Sequence, residues 1–219
     1  MLKNIIKRVL PRMVINKIFD YSDGYSLKSY SQEGEDMILR RLFEKQQRGF
    51  YVDVGAHHPK RFSNTYFFYK KGWNGINIDA MPDSMKFFNK IRPRDINIEK
   101  PIFDEKKLLK YYAFNEPALN GFSKELSEER ASKKGVKLLF TKDIETITLE
   151  EILNVNLPKN KSIDFMSIDV EGLDYTVLKS NNFNKFRPKA ILIEIIGSSL
   201  SDIDNSEISN YLKNYNYSI

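Results

Sequence analysis

Five acidic residues stand at or near the ends of short apolar runs: Asp53 in GFYVDVGA, Asp79 in INIDA, Asp169 and Glu171 in IDFMSIDVEG, and Glu194 in KAILIEIIG. Unpaired carboxylates are expensive to bury, so a row of them at corresponding places on separate strands is hard to ascribe to core packing. One such acid alone reads as a helix N-cap or a surface ion pair; five together point to a ligand. The only two histidines, His57 and His58, follow directly after the glycine turn of the first run. A neutral imidazole has a suitable pKa for a base at neutral pH. The plainer role is to orient the loop by bonding backbone, above all for His58. Asp169 and Glu171 straddle Val170 and, on a strand, point the same way. Two such carboxylates either raise one pKa, making a base, or bind a hard divalent cation. Alternatively, Glu171 with Gly172 simply starts the next helix.

The elements that must hold these residues are strands and helices in alternation. GFYVDVGA, INIDA, DINIEKPIF, IDFMSIDVEG and KAILIEIIG read as five strands, and FSNTYFFYKKG, PDSMKFFNKIR and LDYTVLKSNNF as helices between them. Near-continuous apolar strands alternating with helices predict a parallel sheet covered on both faces, a doubly wound α/β fold. Ligands then sit beyond the carboxyl ends of the strands, where the strand order reverses. Residues 108–153 carry two further strand segments around a charged helical excursion. Asn120, Gly121 and Phe122 are placed there as a lid; SKELSEERASKK reads equally well as a solvated surface.

Composition sets the bounds. The chain has 219 residues, 41% hydrophobic and 29% charged, as expected of one globular domain. Without cysteine it has no disulfide and no thiolate metal site, which fits a reducing compartment. No apolar run reaches the roughly 20 residues of a membrane span. The net charge of +6 favours polyanions in general, or is simply a solvated surface. Residues 1–29 read as a basic amphipathic arm ahead of a domain over 30–219. Leu2, Ile5, Ile6, Val9, Leu10, Met13 and Val14 share one helical face, Lys3, Lys7, Arg8 and Arg12 the other, and Pro11 interrupts the helix. Residues 1–20 therefore either make a peripheral membrane contact or pack on the domain.

The glycine turn narrows the ligand. A phosphate-binding loop needs a glycine-rich run with Gly-Lys-Ser or Gly-Lys-Thr, which is absent. VDVGAHHP has one glycine, and Asp53 beside it repels a pyrophosphate. Asp79, at the end of the second strand, suits a ribose diol. The pattern asks for a nucleoside carrying positive charge, and S-adenosylmethionine matches.

SQEGED (31–36), residues 49–84, RPRDINIE (92–99), IDFMSIDVEGLDYTVLKS (163–180) and FRPKAILIE (186–194) together resemble the FkbM-type methyltransferases. The resemblance implies a Rossmann-like sheet of the class I methyltransferase type and S-adenosylmethionine-dependent methylation, usually of an oxygen. Members often act on sugars of surface polysaccharides. It places Asp53, Gly55 and Ala56 beside the methionine part of the cofactor and Asp79 at the ribose hydroxyls. Ile102 and Phe103 border the adenine, and Ser31, Gln32 and Asp36 help close the site. Ser63 is expected to cap the first helix. Such a sheet usually ends in an antiparallel pair, and this sequence stops about where that hairpin would begin.

Methyl transfer to a sugar hydroxyl needs alignment and removal of a proton. Asp169 is the leading base, with Glu171 and His57 beside it. Related methyltransferases use magnesium to orient the hydroxyl, and Asp169, Glu171 and Glu194 are the candidate ligands for Mg²⁺. The expected setting is cytoplasmic, at the inner face of the membrane if the arm binds there. A nucleic-acid methyltransferase and a shortened cofactor-binding or scaffold protein are the alternatives; no recognisable RNA-binding module supports the first.

Overall fold

A computed structural model of the chain describes residues 26–195 and 200–218, with Pro11 and Val14. The amphipathic face read in residues 1–20 lies almost wholly outside the described residues. The first helix is α1 (Glu35–Leu42), followed by β1 (Phe50–Val54), α2 (Tyr66–Lys70), β2 (Asn74–Asp79), α3 (Ser84–Ile91) and β3 (Ile96–Glu99). The excursion comprises β4 (Leu108–Phe114), a 3₁₀ turn (Pro117–Leu119), α4 (Lys124–Ser132) and β5 (Leu138–Glu145). The second half of the fold is α5 (Leu149–Asn156), β6 (Phe165–Ile168), α6 (Asp174–Lys179), β7 (Ala190–Ile193), α7 (Leu200–Ile203) and α8 (Glu207–Lys213).

The main sheet has the order β3-β2-β1-β6-β7, every pair parallel. The chain therefore runs outward from β1 to β3, crosses back, and runs outward again from β6. The reversal between β1 and β6 opens the crevice in which α/β sheets hold ligands. Side-chain alternation along β1 serves both faces. Phe50, Val52 and Val54 join Ile76, Ile78, Met166, Ile168, Leu149, Leu153 and Val177 on one side. Tyr51 joins Phe165, Phe68, Trp73, Leu39 and Phe43 on the other. All five β1 residues are buried, which is why the run is apolar almost throughout.

Helix α5 shows how local signals place an element. Thr148 accepts the Glu151 N–H while the Glu151 carboxylate accepts the Thr148 N–H, a reciprocal cap. Leu149, Ile152 and Leu153 then face the sheet. β4 and β5 form a separate antiparallel ribbon. Ala113 pairs with Phe140 and Phe114 with Leu138, so Leu139 is an extra residue, a β-bulge.

The carboxyl end packs back on the sheet without a hairpin among the described residues. Residues 214–218 form no strand; Tyr217 instead folds back, its hydroxyl donating to the Pro188 carbonyl at 2.5 Å and its ring packing near Phe183. Among the described residues the main sheet ends at β7.

Candidate active site

A cleft of about 870 Å³, open mouth included, lies at the carboxyl ends of β1, β2 and β6. Its floor is Val54, Gly55, Ile78 and Asp79; Asp169, Val170 and Glu171 form the opposite wall. Tyr111 and residues 117, 118 and 120–122 of the excursion line the remaining side, so Asn120, Gly121 and Phe122 do lie over the strand ends. Concave, with apolar side chains and a few convergent polar groups, it has the lining of a small-molecule site.

Gly55 is fixed by crowding. Its φ is +81°, and a Cβ there would lie 1.7 Å from the Asp169 carbonyl oxygen. The strand ends of β1 and β6 meet at this point with no room for a side chain. The Gly55 and Ala56 N–H groups both donate to the Ile78 carbonyl, at 2.9 and 3.0 Å, binding the turn to β2. Asp79 completes the arrangement, one oxygen accepting the His57 N–H and the other the Met81 N–H, each at 2.7 Å. A carboxylate has about four acceptor positions, so capacity for two more donors remains. Burial raises the Asp79 pKa to about 6 against the pull of those two donors.

His57 lines the cleft with φ +50° and stacks on Phe62. Its buried Nε2 has no hydrogen-bond partner among the described residues. Burial first, and then the Arg61 charge, lower its pKa, so the ring is neutral near pH 7. His58 does what the plainer reading expected. Its Nδ1 accepts the Lys60 and Arg61 N–H groups at 3.0 and 2.9 Å, shaping the loop.

Across the cleft the acids face one another. Asp169 is open toward the mouth yet hemmed in by protein on its other sides. Burial, then Glu194 and Glu171, push its pKa to about 8, and it shares a hydrogen bond with Glu194. Glu194 is raised in turn, chiefly by burial. Two such carboxyls hold one proton between them at neutral pH. Asp174 stands with them: carboxylate oxygens of Asp169, Asp174 and Glu194 all lie within 4.8 Å of one another.

Glu171 departs from the strand-based expectation. β6 stops at Ile168, and Glu171 has φ +57°, so the alternation that would point it alongside Asp169 does not apply. Its carboxylate instead makes a close ion pair with Arg130 of α4, and that guanidinium also donates to the Leu119 carbonyl at 2.9 Å. The three-acid group is therefore Asp169, Asp174 and Glu194 rather than Asp169, Glu171 and Glu194. Asp174 also accepts the Val170 and Gly172 N–H groups, both at 3.0 Å, and so shapes the turn that holds Glu171.

Gln32 and Ile102 line the cleft as expected; Ile102 is buried and bridges to Ile147. Asp36, Asp53 and Ala56 do not line it. Asp36 is fully buried beneath Ser29 and Ser31, whose hydroxyls donate to it at 2.6 and 3.1 Å, and it pairs with Arg40 one turn along α1. It fastens the segment that carries Gln32. Asp53 points to the other face of the sheet, accepting the Thr65 hydroxyl at 2.6 Å. Thr65 also accepts from Arg92, which bonds Tyr51 and Asp95 in a fully buried network. Ala56 packs on Met85 and Phe88. Ser63 accepts the Tyr66 N–H at the start of α2, a capping role.

Sequence reasoning missed Tyr111, Phe62, Met81, Lys100, Arg130 and Asp174. Asp174 carried a signal, an acid in the first turn of the helix after Glu171-Gly172, and Phe62, Met81 and Lys100 lie within five residues of His57, Asp79 and Ile102; Tyr111 lines the cleft, and Arg130 reaches Glu171, only because the excursion folds back.

The methyltransferase FkbM domain description matches residues 53–219, about three quarters of the chain, beginning at Asp53. No curated protein and no solved structure gives a match.

Proposed function

The chain belongs to the FkbM methyltransferase family, and from that premise we propose that it is an S-adenosylmethionine-dependent O-methyltransferase acting on a sugar hydroxyl of a surface glycan or related glycoconjugate. The observation that carries the reading is Asp79: a carboxylate at the end of β2, aimed into the cleft, fixed by two backbone donors and left with acceptor capacity. A ribose diol uses that capacity. Val54, Ile78, Pro101 and Ile102 offer the apolar wall that an adenine needs, and Gly55 lets a ligand approach the backbone. The cofactor, when bound, supplies an electrophilic methyl carbon on a sulfonium.

The chain's own residues then hold the acceptor and take its proton. Asp169, sharing one proton with Glu194, accepts a proton from the attacking hydroxyl once it is itself ionised. His57, neutral, lining the cleft and with an Nε2 that no described residue engages, orients the acceptor or the methionine end. Glu171 is withdrawn from this chemistry by Arg130. Asp79 and the one negative charge left on the Asp169–Glu194 pair repel phosphates, which favours a neutral sugar over a nucleic acid.

A divalent cation is the second reading, favoured by the spacing of Asp169, Asp174 and Glu194. Mg²⁺ there would replace the shared proton and lower the acceptor hydroxyl's pKa. The setting proposed is cytoplasmic, at the membrane face; no helix among the described residues is long and apolar enough to cross a membrane.

Calorimetric titration of S-adenosylmethionine into wild type and Asp79→Ala tests the reading. Micromolar binding lost in the variant is expected. A folded wild type that binds neither the cofactor nor its demethylated product would refute it. Product analysis with and without EDTA then separates the shared proton from the cation.

A further inference from the structure

The corner between α4 and β5 carries apolar surface that neither the core nor the cleft uses. Leu138, Leu139 and Phe140 are 45%, 60% and 46% exposed. Lys134, Lys137 and Lys142 flank them, exposed, with Lys133, which pairs with Glu129 at 3.0 Å; along the sequence no acid falls between Lys133 and Lys142. The corner is held in shape. Asn115 accepts the Lys137 N–H at 2.7 Å, donates its own N–H to the Lys137 carbonyl at 3.0 Å and bonds the Gly135 carbonyl at 3.0 Å. Leu138 pairs with Phe114 and Phe140 with Ala113, on the two faces of the ribbon, and the bulge at Leu139 lies between them on the strand that forms the ribbon's outer edge among the described residues.

The chemistry of the corner chooses among occupants. A second copy adding to the free edge of β5 meets the bulge, and the regular stretch 140–145 centres on Lys142 and Asp143, which a two-fold pairing would set against their own like charges. A nucleic acid would use the lysines and leave two leucines unserved. An anionic membrane interface takes both parts, apolar side chains at the acyl boundary and cations among the head groups.

We propose that residues 133–142 dock on an anionic membrane surface, with Leu138, Leu139 and Phe140 entering the headgroup–acyl boundary. The same ribbon brings Tyr111 to the cleft, and Asn115 opens the segment that supplies the 117–122 wall. The ribbon thus carries both the docking corner and part of the cleft wall, which suits an acceptor carried on a lipid. Only this consequence rests on the methyltransferase reading; vesicle binding is measured without any methyl transfer.

The test uses the full chain. Its single tryptophan, Trp73, is fully buried, so Phe140→Trp adds one exposed reporter. Phosphatidylcholine vesicles containing phosphatidylserine should shift its emission to the blue, and pure phosphatidylcholine vesicles should not. In co-sedimentation the double variant Lys134→Glu, Lys137→Glu should lose about twentyfold or more in partitioning, and Leu139→Glu should also bind more weakly. Cofactor binding and circular dichroism of these surface variants should match wild type. Four results overturn the proposal: no emission shift; variants that partition like wild type, as when residues 1–20 alone bind; a shift caused by RNA and not by vesicles; or a shift that follows protein concentration without lipid.

Discussion

The two sides of the cleft use the same residue types to opposite ends. At β1 and β2, Asp79 is satisfied by backbone N–H groups and has one geometry. At β6 and β7, Asp169 and Glu194 are satisfied by each other and by a proton that can leave. Backbone donors make a carboxylate a fixed receptor. A neighbouring carboxylate makes it a titrating group. The first suits recognition of a cofactor and the second suits acid–base work, although burial raises the pKa on both sides.

The largest effect should come from destroying the seam between the sides. Gly55→Val must displace the Asp169 carbonyl and adopt a positive φ, so it should cost about 3 kcal/mol or more. Chemical denaturation should show that loss together with loss of cofactor binding. Next come the two acids exchanged for amides. Asp169→Asn should lower kcat by about 100-fold or more with little change in cofactor affinity. Asp79→Asn should weaken the cofactor by about tenfold to 100-fold with little change in kcat at saturation. Similar kinetic profiles for the two variants would break the comparison.

A smaller effect is carried by pH. As a base, Asp169 must be ionised, so kcat should rise as pH climbs through about 8. Asp79 must be ionised to accept from ribose, so cofactor affinity should fall as pH drops below about 6. The linkage to stability has a definite sign. The folded chain holds the Asp169 proton more tightly than the unfolded chain, so this group stabilises the fold in acid. That contribution is lost as pH rises from about 4 to about 8. Asp169→Asn should therefore unfold at a higher temperature than wild type near pH 8, by a margin that shrinks toward pH 5. The smallest change is Arg130→Met, which frees Glu171. It should raise the acceptor KM by about threefold to tenfold and leave cofactor affinity unchanged, as measured by initial rates and calorimetry.

What was legible in the sequence followed from short-range rules. The five strands of the sheet are runs buried on both faces, and Asp79 was readable because a polar residue ends such a run at the ligand edge. The ribbon and helix of residues 108–153 were legible from pattern. Two kinds of information were not. Glu171 was misplaced because β6 ends early and a left-handed residue cancels strand alternation. Asp53 was read as facing the ligand, whereas it faces Thr65 and the buried Arg92, partners visible only once α2 and α3 pack on the sheet. Tyr111 and Arg130 reach the cleft because the excursion folds back, a long-range event that no local pattern encodes.

The contact between Gly55 and Asp169 also sets a direction of traffic. Those strand ends are welded, since even a methyl group cannot be inserted between them. The floor of the cleft is closed where those strand ends meet. Exchange is then expected past the rim formed by the excursion, at Asn120 to Phe122, whose neighbour Leu119 is tied through Arg130 to Glu171. An acceptor would then cross a threshold built from the excursion, not from the sheet.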